Sequence, residues 1–142
     1  MKKISISLLL IFSMGVVFSN CTADMDNVIN IKSIAAENVY VNILGRLITV
    51  KPNTTQQIKN IRRGTYSFST NYDLPSGVTG SSVDGTASGD LTLNAGTRIS
   101  IFYTSRIQAT TGGGAAGASA QTNYILVASI SSSDDNSSST SP

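Results

Sequence analysis

Val39-Tyr40-Val41-Asn42-Ile43-Leu44-Gly45-Arg46-Leu47-Ile48-Thr49-Val50 is the stretch whose reading decides the fold. Val39, Val41 and Ile43 alternate with Tyr40, Asn42 and Leu44, which is the two-residue period of a strand with one buried face. Gly45-Arg46 breaks the run and a second β-branched run follows, so the segment predicts a hairpin. Lys51-Pro52-Asn53 ends it, because Pro fixes φ and has no N–H to give to a ladder.

The same alternation continues on both sides. Upstream, Ile29 and Ile31 share one face of a predicted strand. Downstream, Tyr66, Phe68 and Tyr72 share a face, as do Ile99, Ile101 and Tyr103, with Leu91 and Leu93 between them in sequence. Ile58 and Ile61 are three apart, which breaks strict alternation and predicts a bulge or an edge strand over residues 54–61. Tyr124-Ile125-Leu126-Val127-Ala128 is apolar on both faces and suits a strand in the middle of a sheet. Gly64-Thr65 and Gly96-Thr97 each open a new strand, with glycine supplying the positive φ of a tight turn. Helix signals are nearly absent. The expectation is an all-β chain, folded as a single two-layer antiparallel β-sandwich of roughly seven to eight strands over residues 28–130, after an N-terminal signal helix.

The first residues carry the localisation signal. Lys2-Lys3 precede an apolar run from Ile4 to Phe18, then Ser19-Asn20 and Cys21, the one cysteine in the chain. About fifteen apolar residues are too few to cross roughly 30 Å of hydrocarbon at 1.5 Å per residue, and the order of charged, apolar and small residues is that of an export signal. Phe18-Ser19-Asn20-Cys21 resembles the lipobox of bacterial lipoproteins, with Phe18 and Asn20 standing where Leu and a small residue are usual. That resemblance implies a signal peptide over residues 1–20, acylation of Cys21 and a lipidated tether over residues 21–27. It also implies a place in the bacterial cell envelope, anchored by lipid to the outer membrane. The rival reading is ordinary cleavage after Ala23 and a secreted, unlipidated domain.

Composition bounds what the domain does. The whole chain has ten basic and eight acidic residues. Lys2 and Lys3 lie in the signal, so the remainder is charge-balanced, and only Arg62-Arg63 forms a basic pair. Nothing in this pattern tracks a phosphate backbone, which argues against nucleic acid as a partner. A single cysteine makes no internal disulfide. Histidine is absent and the thiol is consumed if Cys21 is acylated, so the usual nucleophile and base pairs of an enzyme are missing. No cofactor motif and no metal-ligand spacing is present. The nearest approach to a calcium loop, Asp84-Gly85 through Asp90 or Asp134-Asp135-Asn136, does not match the alternating Asp/Asn ligands of an EF-hand.

Candidate binding residues are therefore few. Arg62 and Arg63 sit at a predicted turn where paired guanidiniums can grip a carboxylate or sulfated glycan. Asp84 and Asp90 lie in or beside residues 74–88, a stretch rich in Pro, Gly and Ser that reads as a loop. Residues 105–121, with Gly112-Gly113-Gly114, read as a second loop. Residues 131–142 are Ser, Asp, Asn, Thr and Pro with scarcely an apolar side chain, and read as a disordered tail.

Asn38-Val39-Tyr40-Val41-Asn42 with Gly45, then Gly64-Thr65-Tyr66, Leu91-Thr92-Leu93-Asn94-Ala95-Gly96 and a last apolar strand running to Asp134-Asp135-Asn136 resemble a domain of unknown function of bacterial secreted proteins and lipoproteins. The resemblance implies an immunoglobulin-like or transthyretin-like β-sandwich and attaches no activity to it. Taken together, the expected function is a lipid-anchored, non-catalytic interaction module that meets a protein or glycan through its loops and the membrane through its lipid. The alternative is a structural envelope lipoprotein with no exchangeable ligand.

Overall fold

The computed structural model describes residues 26–110 and 121–138. The expected signal helix, Cys21, the Gly-rich run around Gly113 and the last four residues lie outside the described residues. Nine strands follow in order: β1 Asn27–Ser33, β2 Val39–Ile43, β3 Arg46–Val50, β4 Thr54–Ile61, β5 Gly64–Tyr72, β6 Gly80–Gly85, β7 Ser88–Leu93, β8 Arg98–Thr110 and β9 Gln121–Ser132. A short 3₁₀ helix, Ser133–Ser138, closes the described chain. No α-helix occurs among the described residues.

The strands form two sheets, β4-β1-β8-β9-β6 and β3-β2-β5-β7, in a sandwich-like arrangement. The hairpin that opened the sequence reading is β2 and β3, with Val39 opposite Val50 and Ile43 opposite Arg46. Its two-residue turn, Leu44-Gly45, has positive φ at both positions, the hand of turn that matches the twist of the paired strands. Between the sheets lie Ile29, Ile31, Val39, Val41, Ile43, Phe68, Leu91, Leu93, Ile99, Ile101, Tyr103, Tyr124 and Leu126, all buried. Each buried aliphatic or Phe side chain contributes roughly 1.5–3 kcal/mol, and this layer is what holds the sheets face to face.

β4 is an edge strand, and its register against β1 shifts between Asn27 and Ile29. Ile58 faces Ile29 while Ile61 faces Asn27, so the three-residue spacing is absorbed by a bulge in which Asn60 takes positive φ. β9 lies between β8 and β6, and Tyr124, Ile125 and Leu126 are buried in succession, as a strand apolar on both faces requires.

Four expectations are corrected. The strand count is nine. The larger sheet is mixed: β1 runs parallel to β8, and β6 runs parallel to β9, so the sandwich is not purely antiparallel. Alternation marks which face of a strand is buried but carries no information on the direction of its neighbour. Residues 74–88 are not one loop, since β6 occupies Gly80–Gly85, and residues 105–110 belong to β8, which pairs with β9 out to Thr110 opposite Gln121. The tail expected to be disordered from Ser131 instead begins inside β9 and continues into the 3₁₀ helix. Here Asn94 Nδ2 and Thr97 Oγ1 both donate to Asp134 Oδ2, at 2.9 and 2.8 Å, tying the end of β9 to the β7–β8 turn.

A candidate binding cleft between β7 and β9

β6 and β7 behave as one strand that changes sheets. β6 pairs with β9 from Gly80 opposite Asn123 to Gly85 opposite Ala128. After Thr86-Ala87 the chain joins the other sheet, where β7 pairs with β5 from Ser88 opposite Ser69 to Leu93 opposite Gly64. Glycine permits the crossing. Gly85 has φ +92°, and a Cβ there would collide with the backbone oxygen of Ala128, which also accepts a hydrogen bond from Thr86 N–H at 3.1 Å.

The switch leaves β9 half-covered. On its β8 side β9 is paired all the way to Ser132 opposite Ile99, but on its β6 side pairing stops at Ala128. Beside the uncovered residues 129–132 a cleft of about 350 Å³ opens between the sheets, lined by Asp90, Leu91, Thr92 and Asn94 of β7 and its turn, and by Ile99, Ile130, Ser132, Asp134 and Asp135. Its floor is apolar: Leu91 and Ile99 are buried, and Ile130 packs against the core. Two carboxylates, Asp134 and Asp135, stand at its end, while Asp90 lines it through β7 and turns its own carboxylate to the outer face of the smaller sheet beside Ser67.

Those carboxylates are held in place. Ser67 Oγ donates to Asp90 Oδ1 at 2.7 Å. Asp134 accepts from Asn94 and Thr97, and these hydrogen bonds, Asn94's first, hold its carboxyl below the usual carboxylate range. Asp135 Oδ2 accepts from Ser132 N–H at 3.3 Å. The support beneath them is Thr97, a fully buried residue that collects four contacts. Its N–H donates to Asn27 Oδ1 at 2.8 Å, its carbonyl accepts from Val28 N–H at 3.1 Å, and its hydroxyl accepts from Asn94 N–H at 2.8 Å while donating to Asp134. The start of β1, the β7–β8 turn and the 3₁₀ helix after β9 thus meet at one hydroxyl-bearing residue.

The four residues singled out from sequence are not brought together. Asp90 lines the cleft through β7. Asp84, on β6, pairs with Arg106 on β8 at 3.1 Å, across β9 and on the outer face of the sheet. Arg62 and Arg63 form the exposed β4–β5 turn, where the Arg62 carbonyl accepts from Tyr66 OH at 2.9 Å. Sequence reasoning weighed Asp134 and Asp135 only as calcium ligands and missed their neighbours Leu91, Ile99 and Ile130, which looked like ordinary core. Among the described residues, no group of three or more Asp, Glu, His or Cys is placed to hold a metal ion.

A second, larger hollow of about 610 Å³ lies on the outer face of β1, β4 and β8, lined by Asp26, Asn30, Gln57, Lys59 and Arg98 among others. β1, which runs beneath it, is paired on both sides, and Gln57 Nε2 donates to Asn30 Oδ1 at 2.7 Å within the hollow, so its lining is mainly polar and already partly bonded to itself. Compared with protein-family models the chain matches none, and no curated protein matches it in sequence.

Proposed function

We propose that this chain is a lipid-anchored, non-catalytic interaction module of the bacterial cell envelope, built on an immunoglobulin-like sandwich. The observation that carries the interaction reading is the cleft: an apolar floor, two carboxylates at its end and a strand edge with no ladder partner among the described residues. That combination suits recognition of another chain better than chemistry on a small molecule, since the carboxylates that line it are engaged with Ser, Asn and Thr partners.

Two further observations support the anchored reading. β1 begins at Asn27, six residues after Cys21, so an acyl group on Cys21 would hold this end of the sandwich within about 20 Å of the bilayer. β1 is also an interior strand, paired on both sides, so the tether would pull on a strand locked into the sheet. The binding surface differs from the one expected from sequence, because part of each supposed loop is strand.

Growth with a tritiated fatty acid tests the anchor. Label is expected on the wild-type chain and absent from Cys21→Ala; an unlabelled wild type removes the lipid from the reading. Protease shaving of intact cells tests the module. A structural lipoprotein that packs its sandwich wholly inside the envelope would stay protected, and that result would defeat an interaction role at the cell surface.

A further inference from the structure

We propose that the uncovered half of β9 and the cleft beside it take an extended peptide segment, an apolar residue flanked by Lys or Arg, which pairs with β9 as an added strand. The inference rests on the interaction-module reading and names the partner's chemistry.

The backbone supplies the first argument. A strand edge without a neighbour presents N–H and C=O groups with no ladder partner, and adding a strand satisfies them. β9 loses its β6 neighbour after Ala128 and keeps its β8 neighbour to Ser132. Residues 129–132 span roughly 13 Å at about 3.3 Å per residue, room for three or four residues of a partner. The edge ends where Asp135 accepts from Ser132 N–H, so the added strand is bounded at that end by the chain's own carboxylates.

The side chains supply the second. An added strand would send alternate side chains into the space between the sheets, above Leu91, Ile99 and Ile130. Flanking side chains would meet Asp134 and Asp135 at the end, which favours Lys or Arg and disfavours Asp or Glu. A glycan is the poorer fit, because none of the lining residues offers the aromatic platform on which a sugar ring stacks.

The probes are fluorescent hexapeptides added to the protein purified from cell membranes, read by anisotropy and by amide hydrogen exchange. The first alternates Lys with Val and Ile, the second alternates Glu with the same residues, and the third is the basic peptide with a central Pro. Saturable binding of the basic peptide is expected, with the acidic and Pro-containing peptides weaker by about tenfold or more. Binding should slow exchange at Ile130, whose N–H lies on the side that Ala128 turns to Thr86, whereas Ser129 and Ser131 face β8. Asp135→Asn, which keeps an acceptor for Ser132 N–H, should weaken the basic peptide about threefold while leaving the melting temperature unchanged. Equal binding of the acidic peptide, saturation without protection of Ile130, displacement by a neutral oligosaccharide, or no saturation at millimolar peptide would each overturn the proposal. These outcomes are separate from those of the anchor and shaving experiments, so the cleft can fail while the interaction-module reading stands.

Discussion

Thr70 and Tyr103 join the two sheets through a single hydrogen bond of 2.6 Å between their hydroxyls. Thr70 belongs to β5 in the smaller sheet and Tyr103 to β8 in the larger, so this polar contact crosses a core otherwise made of aliphatic and aromatic packing. Tyr103→Phe would leave the Thr70 hydroxyl without its partner, at a cost of about 1–2 kcal/mol. For a domain of this size that is a fall in melting temperature of about 4–12 °C. The paired variant Tyr103→Phe with Thr70→Val should recover most of the loss, since both polar atoms are then gone; a double variant as unstable as the sum of the singles would show that the bond is not what matters.

The same phenol sets an alkaline limit. Burial pushes Tyr103 above the ordinary tyrosine range, partly offset by Thr70. A raised folded-state pKa contributes stability that is complete below the unfolded value, about 10, and is lost as pH rises from there through the folded value. Denaturant midpoints should therefore decline above pH 10 in the wild type, and decline less steeply in Tyr103→Phe.

At the acid end the sensitive group is Asp134. Hydrogen bonds from Asn94 and Thr97 lower its pKa, so its contribution is present above the unfolded value near 3.8 and lost as pH falls through the lower folded value. Asp134→Ala should remove that acid dependence and speed amide exchange at Asn94, whose N–H is held by the Thr97 hydroxyl that donates to Asp134. Unchanged exchange there would mean that the chain end is not braced by this carboxylate.

Gly85→Ala is expected to be among the most damaging single changes outside the core. The new methyl would meet the Ala128 carbonyl, a backbone atom that cannot step aside, at a residue already at positive φ. A loss of more than about 2 kcal/mol is expected, with exchange protection lost first along β6. By contrast Asp84→Ala removes an ion pair whose side chains are both more than half exposed, and should change stability by less than about 1 kcal/mol.

What could be read in the residues was the buried face of each strong strand. Val39, Val41, Ile43, Ile99, Ile101 and Tyr103 alternate in sequence and are buried in the fold. The irregular spacing of Ile58 and Ile61 announced the bulged edge. β6 was invisible because Gly80-Ser81-Ser82-Val83-Asp84-Gly85 has one apolar β-branched residue; it is a strand because β9 offers it an edge, not because of its own propensity. The parallel pairing of β1 with β8 was equally hidden, since it depends on which distant strand arrives beside Ile29 and Ile31. The cleft follows from both: it exists only once β6 ends at Ala128 and β7 has moved to the other sheet, and no local pattern records that exchange.

The interior position of β1 also sets an order of events for a chain made from its N-terminus. Ile29 and Ile31 emerge early, yet their parallel neighbours Ile99 and Ile101 are synthesised about seventy residues later. Until then β1 has only β4 to pair with and one side of its ladder stays open. A polypeptide threaded through an export channel must remain extended, and this one cannot complete its larger sheet before β9 has been made. The strand nearest the proposed anchor therefore stays open on one side for about seventy residues of synthesis, and on the proposed export route that interval would leave the chain soft enough to pass.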